Sequence, residues 1–168
     1  MKIKEFLLVS LVIAASSTLL MALSSSRALA QTRITFDAQS FLPPQILYSG
    51  YTRIEMPDVT LNDGEGYSDI HSNFTAPKSG VYQFNANVSI DTDGQDCSAF
   101  ILSLFLNGNE HRRLTRSERG HQFEMAGSGL LPLSEQDIVD IRVFHNCANP
   151  VVVEAAGRAY FNGALLSP

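Results

Sequence analysis

The sequence predicts an all-β domain behind an export signal. Two observations carry the fold class. After Gln31 the 3.6-residue period of an amphipathic helix is nearly absent, while two-residue alternation recurs. The alternating segments are short and are separated by turn signals such as Asn62-Asp63-Gly64 and Asp93-Gly94. That is the pattern of a sandwich or barrel.

The N-terminus decides which residues belong to the fold. Lys2 and Lys4 form a short basic region, and an apolar stretch runs from Phe6 to about Leu23, diluted by Ser10, Ser16, Ser17 and Thr18. Polar Ser24 to Arg27 then leads into Ala28-Leu29-Ala30, a small-x-small cleavage signal. Residues 1–30 therefore read as a signal peptide, and 31–168 as a single domain. The alternative, a retained anchor, is opposed by the polar interruptions and the cleavage signal. The sequence offers no second apolar span, so no membrane crossing is expected once the signal is removed. The expected location is secreted, extracellular or periplasmic.

The formal net charge is −5, and losing Lys2, Lys4 and Arg27 with the signal leaves the domain more acidic. Binding a phosphate backbone requires neutralising cations, so nucleic acid is not an expected partner. Both cysteines, Cys97 and Cys147, fall in the exported part. An even pair in an oxidising compartment reads as a disulfide. Two separate buried cysteines, or a two-thiolate metal site without its other ligands, are the alternatives, and the spacing favours neither.

Along the chain, Ile34 to Ala38 and Ile54 to Met56 are the first, weaker strand candidates. The clearest strand places Tyr82, Phe84, Ala86, Val88 and Ile90 on one face, with Gln83, Asn85, Asn87 and Ser89 on the other. A further strand spans about Ser98 to Leu106 and ends in Asn107-Gly108, a tight-turn signal. Its two faces, Phe100, Leu102, Leu104, Leu106 and Ala99, Ile101, Phe105, are both apolar, so both need cover. Either a second subunit or a segment of the same chain meets the second face. Val139, Ile141 and Val143 alternate with Asp140 and Arg142, and Val151–Val153 and Ala159–Leu166 supply the last two strands.

An ordered set of residues resembles the globular head of complement component 1q. It comprises Phe36-Asp37-Ala38, Asp58-Val59, Asn62 and Tyr67, and then Phe74-Thr75-Ala76-Pro77 with Ser79-Gly80-Val81-Tyr82-Gln83-Phe84. Leu106-Asn107-Gly108, Leu131-Pro132-Leu133 and Phe161-Asn162-Gly163-Ala164-Leu165-Leu166 complete it. The core of the motif is Phe74, Gly80, Tyr82, Phe84, Phe161 and Gly163. Two turn positions depart from the pattern: Gln136-Asp137 replaces a glycine-aspartate pair, and Asn73 stands where glycine is frequent. No collagen-like stalk is present in the sequence. The resemblance implies a ten-stranded, two-sheet jelly roll that assembles as a compact homotrimer. It also implies recognition of a protein or glycan through exposed loops, without catalysis or a required cofactor.

Three constellations bear on function. Asp91, Asp93 and Asp96 cluster beside Gly94, and some members of the resembled family bind calcium, so this loop is the calcium candidate. The spacing is not that of an EF-hand, and a solvated turn is the plain reading. Arg112, Arg113, Arg116 and Arg119, flanked by His111 and His121, concentrate positive charge in an acidic domain. Arginine forks suit carboxylate, sulfate or phosphate, so these four are the candidate ligand-binding residues. A solvated loop with local ion pairs to Glu110 and Glu118 is the alternative. The histidines form no metal-ligand pattern, and Gly127-Ser128-Gly129 is not a nucleophile elbow. Asn73 and Asn87 begin glycosylation sequons. The expected function is thus a secreted recognition module. A structural envelope or matrix protein is the alternative, and a β-sandwich hydrolase is a third reading.

Overall fold

The computed structural model describes residues 33–41, 44–118, 120–154 and 159–168. The expected signal peptide, 1–30, lies outside them. The described strands all belong to the unit Arg33–Pro168. They are β1 (Thr35–Ser40), β2 (Gln45–Leu47), β3 (Gly50–Arg53), β4 (Asp58–Asp63), β5 (Tyr67–Ser68) and β6 (Asn73–Thr75). They continue with β7 (Gly80–Asp91), β8 (Phe100–Leu106), β9 (Asn109–Ser117), β10 (Gln122–Leu133), β11 (Ile138–His145), β12 (Val151–Val153) and β13 (Ala159–Ser167).

Two antiparallel sheets share these strands in a jelly-roll arrangement. The seven-stranded sheet is organised around β7, the strand with the strongest alternation. β10 pairs along its whole length, from Gln122 opposite Asp91 to Leu133 opposite Gly80. β13 and β12 also pair with β7; β1 and β4 follow β13, and β2 follows β12. In the six-stranded sheet β11 pairs with β8, with β6 and with β3, while β9 flanks β8 and β5 flanks β6. The Asn107-Gly108 turn joins β8 to β9 with φ of 49° and 81°. Left-handed dihedrals at both positions make a two-residue hairpin whose twist matches its strands.

The motif residues form the centre of the sandwich. Phe74, Tyr82, Phe84 and Phe161 are at most 1% exposed and join Phe36 and Tyr67 in one aromatic cluster. Phe36 stacks on Phe74 at 5.0 Å and on Tyr67 at 4.9 Å, and it meets Phe161 edge-on at 5.0 Å. Burying each such ring contributes about 2–3 kcal/mol of transfer free energy. Gly163 is needed where these rings converge: a Cβ there would lie 2.7 Å from Phe84 Cδ1 and 2.8 Å from Phe36 Cε1. Similarly, a Cβ on Gly127 of β10 would lie 2.7 Å from Leu114 Cβ, so glycine lets β9 pass close over β10.

Two expectations are corrected, and one open alternative is resolved. The segment Ile54 to Met56 is not a strand; β3 ends at Arg53. Ile54 N–H still bonds the Ile141 carbonyl, but Met56 N–H turns to Ser72 Oγ and Pro57 has no N–H to continue the ladder. Arg112, Arg113 and Arg116 lie not on a loop but on strand β9. The second face of β8 needs no neighbouring subunit, because Ile101, Ser103 and Phe105 are buried by side chains of the same chain.

Candidate functional site

The cover over β8 is also where the arginines converge. Strand pairing aligns residues in rows on the face of the six-stranded sheet that points away from the core. One row reads Arg53, Arg142, Ser103, Arg113 across β3, β11, β8 and β9. The next reads Tyr51, Phe144, Ile101, Arg116 in the same strand order. The row on the other side holds Asp140, Phe105 and Glu110. Alternation makes this inevitable: Val139, Ile141 and Val143 fill the core, so Asp140, Arg142 and Phe144 must face out.

The face is tightly bonded. Arg142 grips Asp140 through two hydrogen bonds, Nε to Oδ1 at 2.7 Å and Nη2 to Oδ2 at 3.0 Å. Its guanidinium carbon lies 4.2 Å from the centre of the Phe105 ring. Tyr51 packs edge-on against Phe105 at 5.0 Å and against Phe144 at 5.2 Å. From there its hydroxyl donates to Glu110 Oε1 at 2.6 Å, the atom that Ser103 Oγ and Arg113 Nε also reach, at 3.0 and 2.9 Å. The hydrogen bonds from Arg113 and then Tyr51 hold the Glu110 carboxyl down to about 2. Burial and the Glu110 carboxylate push the Tyr51 hydroxyl up.

Three of the four candidate arginines lie on β9. Arg113 and Arg116 lie on this outward face, whereas Arg112 pairs with core-facing Leu104 and projects from the opposite face. There a Cβ on Gly129 would meet its Cδ at 3.3 Å. Arg119 lies outside the described residues. The fold also brings Arg53 and Arg142 into the row of Arg113. Sequence inspection missed both because they come from distant strands. Position was the available signal, since each is an outward residue of an alternating strand.

The acidic loop is not assembled as a cation site among the described residues, where no three His, Cys, Asp or Glu side chains converge. Asp91 Oδ1 instead accepts the Asp93 N–H at 2.8 Å, closing the Asp93-Gly94 turn, and Asp93 and Asp96 are exposed. Cys97 and Cys147 are joined as a disulfide with Cα atoms 4.7 Å apart, tying the β7–β8 loop to the β11–β12 loop. Asn146 Oδ1 stitches the same loops by accepting the N–H groups of Ser98 and Ala99 at 3.2 and 3.0 Å. His145 is fully buried beside them. A carbonyl only accepts, so its proton sits on Nε2 and bonds Leu47 O at 3.1 Å, and Nδ1 accepts the Cys147 N–H at 3.2 Å. Burial pushes this ring below its ordinary 6.5. His71, His111 and His121 are exposed. The sequon residue Asn87 is 8% exposed within β7, and Asn73 is half-buried in β6.

The outward face of the seven-stranded sheet carries a different chemistry. Gln83 donates to Asn85, Asn85 to Asn162, and Asn162 to Asp37, at 3.3, 2.9 and 3.4 Å. A shallow cleft of about 290 Å³ lies over this chain of amides, walled by Thr35, Leu61 and Ala164.

Residues 45–166 match the family model of the C1q domain. Among solved structures, the globular domain of zebrafish complement 1qA protein superposes with a TM-score of 0.57 at 18% identity, covering 80% of this chain and 97% of that one. Murine APRIL at pH 8.5 superposes with a TM-score of 0.56 at 16% identity, covering 80% and 99%. These likenesses show the fold. No curated protein matches the chain.

Proposed function

The chain belongs to the C1q domain family, and from that premise we propose that it is a secreted, non-enzymatic recognition module acting as a homotrimer. Domains of this family are generally recognition modules, and its members form trimers and bind protein ligands. One observation carries the reading for this chain: Arg53, Arg113, Arg116 and Arg142 share one sheet face with two part-exposed rings, Tyr51 and Phe144. Arginine and tyrosine are the residues that dominate binding hot spots. The site departs from the loops that sequence reasoning favoured, since its residues stand on strands β3, β9 and β11.

The seven-stranded sheet is the better candidate for meeting a second and third copy. The six-stranded sheet covers its own central strand, whereas Leu61 and Leu130 on the other sheet remain 37% and 51% exposed beside the amide chain. A trimer built through that sheet turns the three arginine faces outward. Three weak sites on one rigid body then gain by avidity on a target with repeated epitopes. Secretion accords with the Cys97–Cys147 disulfide and with the export signal expected from the N-terminal sequence.

Light scattering of the purified protein, followed by capture on protein and glycan arrays, tests the reading. A trimer that captures a ligand supports it. A monomer removes the assembly and the avidity, and turnover of an array ligand overturns the non-enzymatic reading.

A further inference from the structure

We propose that the outward face of the six-stranded sheet docks an anionic polysaccharide, one carrying sulfate or carboxylate groups along its length. The inference rests on the recognition reading above and adds to it the ligand class and the residues.

Charge selects the anion. Arg53, Arg142, Arg113 and Arg116 share the face with Asp140 and Glu110, in a chain whose formal net charge is −5. Arg142 is committed to Asp140 and Arg113 to Glu110. Arg53 makes no ion pair among the described residues, and Arg116 has only the exposed Glu118, at 3.2 Å. The two cations left for a ligand therefore stand at opposite margins of the face. They are three strand spacings apart, roughly 14 Å across the sheet. A single small anion reaches one of them, whereas a polymer with repeating charge spans both.

Backbone accounting selects the polysaccharide over a peptide. Extended peptides dock by adding to a free sheet edge or by filling a groove. Here the surface between the two arginines lies over β11 and β8, each already paired on both sides. It offers side chains and no backbone. Those side chains include Tyr51, 36% exposed, and half-buried Phe144 in the same row, apolar surfaces on which sugar rings can lie between the guanidinium forks.

The test measures binding of the whole protein to dextran sulfate, polygalacturonate, neutral dextran and poly-glutamate. Dextran sulfate or polygalacturonate is expected to bind and neutral dextran not to. Affinity should fall at least about tenfold between about 50 and 200 mM salt, because each contact releases counterions. The double variant R53A/R116A should lose about tenfold or more, while R112A, on the opposite face, changes affinity by less than roughly twofold. Among the described residues neither Arg53 nor Arg116 makes an ion pair with a buried carboxylate, and an unchanged melting temperature shows that the variant is folded. An equal loss in R112A reduces the effect to general charge and overturns the site. Poly-glutamate held through Arg53 and Arg116, with neither charged polysaccharide bound, overturns the ligand class in favour of an acidic peptide. Failure of every polyanion overturns the inference, while a trimer that captures another ligand on the arrays leaves the recognition reading standing.

Discussion

The guanidinium carbon of Arg142 lies over Phe105, 4.2 Å from the ring centre, while two of its nitrogens hold both oxygens of Asp140. One side chain thereby covers an apolar strand and neutralises a carboxylate that is 4% exposed. This contact explains how β8 is apolar on both faces inside a single chain. Its second face is roofed by the stems and planes of residues that a hydropathy reading counts as polar.

Arg142→Ala should destabilise the fold by about 3 kcal/mol, since it strands a buried carboxylate and uncovers Phe105. Replacing the pair together, as Arg142→Met with Asp140→Leu, should restore stability to within about 1 kcal/mol of the original. Urea midpoints at fixed pH read both. A loss below about 1 kcal/mol in the single variant would mean that water screens the pair.

Gln136 sits at φ +72°, in the left-handed region, with its N–H bonded to the Ala76 carbonyl. This is the position where the sequence carries glutamine in place of the glycine of the resembled pattern. A left-handed side-chain residue costs about 1–2 kcal/mol, and the extra freedom of an unfolded glycine returns part of that. Gln136→Gly should therefore stabilise by about 0.5–1 kcal/mol and raise the melting temperature. A lower melting temperature would show that the glutamine side chain contributes something the backbone argument omits. The other departure behaves differently. Asn73 lies within β6, and the left-handed residue is Ser72, at φ +46°.

What the sequence disclosed tracks where alternation survives. β7, β11 and β13 were legible because one face fills the core and the other does not. β9 was not, because two register shifts against β8, at Leu102/Ser103 and Leu104/Phe105, break its period. Its edge position also leaves Glu110, His111, Arg112 and Arg113 exposed. β10 was hidden for the opposite reason: Gly127 and Gly129 occupy inward positions that a hydropathy pattern expects to be apolar. The arginine charge was visible as a local run, yet the functional row is a tertiary object. Arg53 and Arg113 lie in one row only because β3 and β9 both reach it through β11 and β8.

Removing the disulfide should cost about 4 kcal/mol at most, the loop entropy expected for a cross-link between residues 50 apart. The Asn146 hydrogen bonds to Ser98 and Ala99 hold the same two loops and should keep the reduced domain folded at moderate temperature. Cys97→Ser with Cys147→Ser, compared with the oxidised protein by thermal melting, reads the cost. A change below about 1 kcal/mol would show that those polar contacts already restrict the unfolded chain.

Acid should weaken the fold in two separable stages. His145 is held neutral by burial, with its pKa below 6.5. Between that value and 6.5 the unfolded state binds more protons than the folded one, so stability falls as pH falls. The contribution is complete above pH 6.5 and is lost as pH drops through the folded pKa of the ring. Geometry gives the same sign. A second proton must go to Nδ1, which then faces the Cys147 N–H as donor against donor. Glu110 acts lower. Its folded pKa of about 2 lies below the ordinary 4.5, so its share is intact above 4.5 and disappears as pH approaches 2. His145→Gln keeps an amide donor and an acceptor without a titrating group and should flatten the first stage alone. Glu110→Gln should reduce the second without touching the first, the remainder belonging to Asp137, which the Asn107 amide and the Ser134 N–H also hold below its ordinary value. Urea midpoints from pH 7 to pH 3 resolve the two, and a first stage that persists in His145→Gln would assign it to a different group.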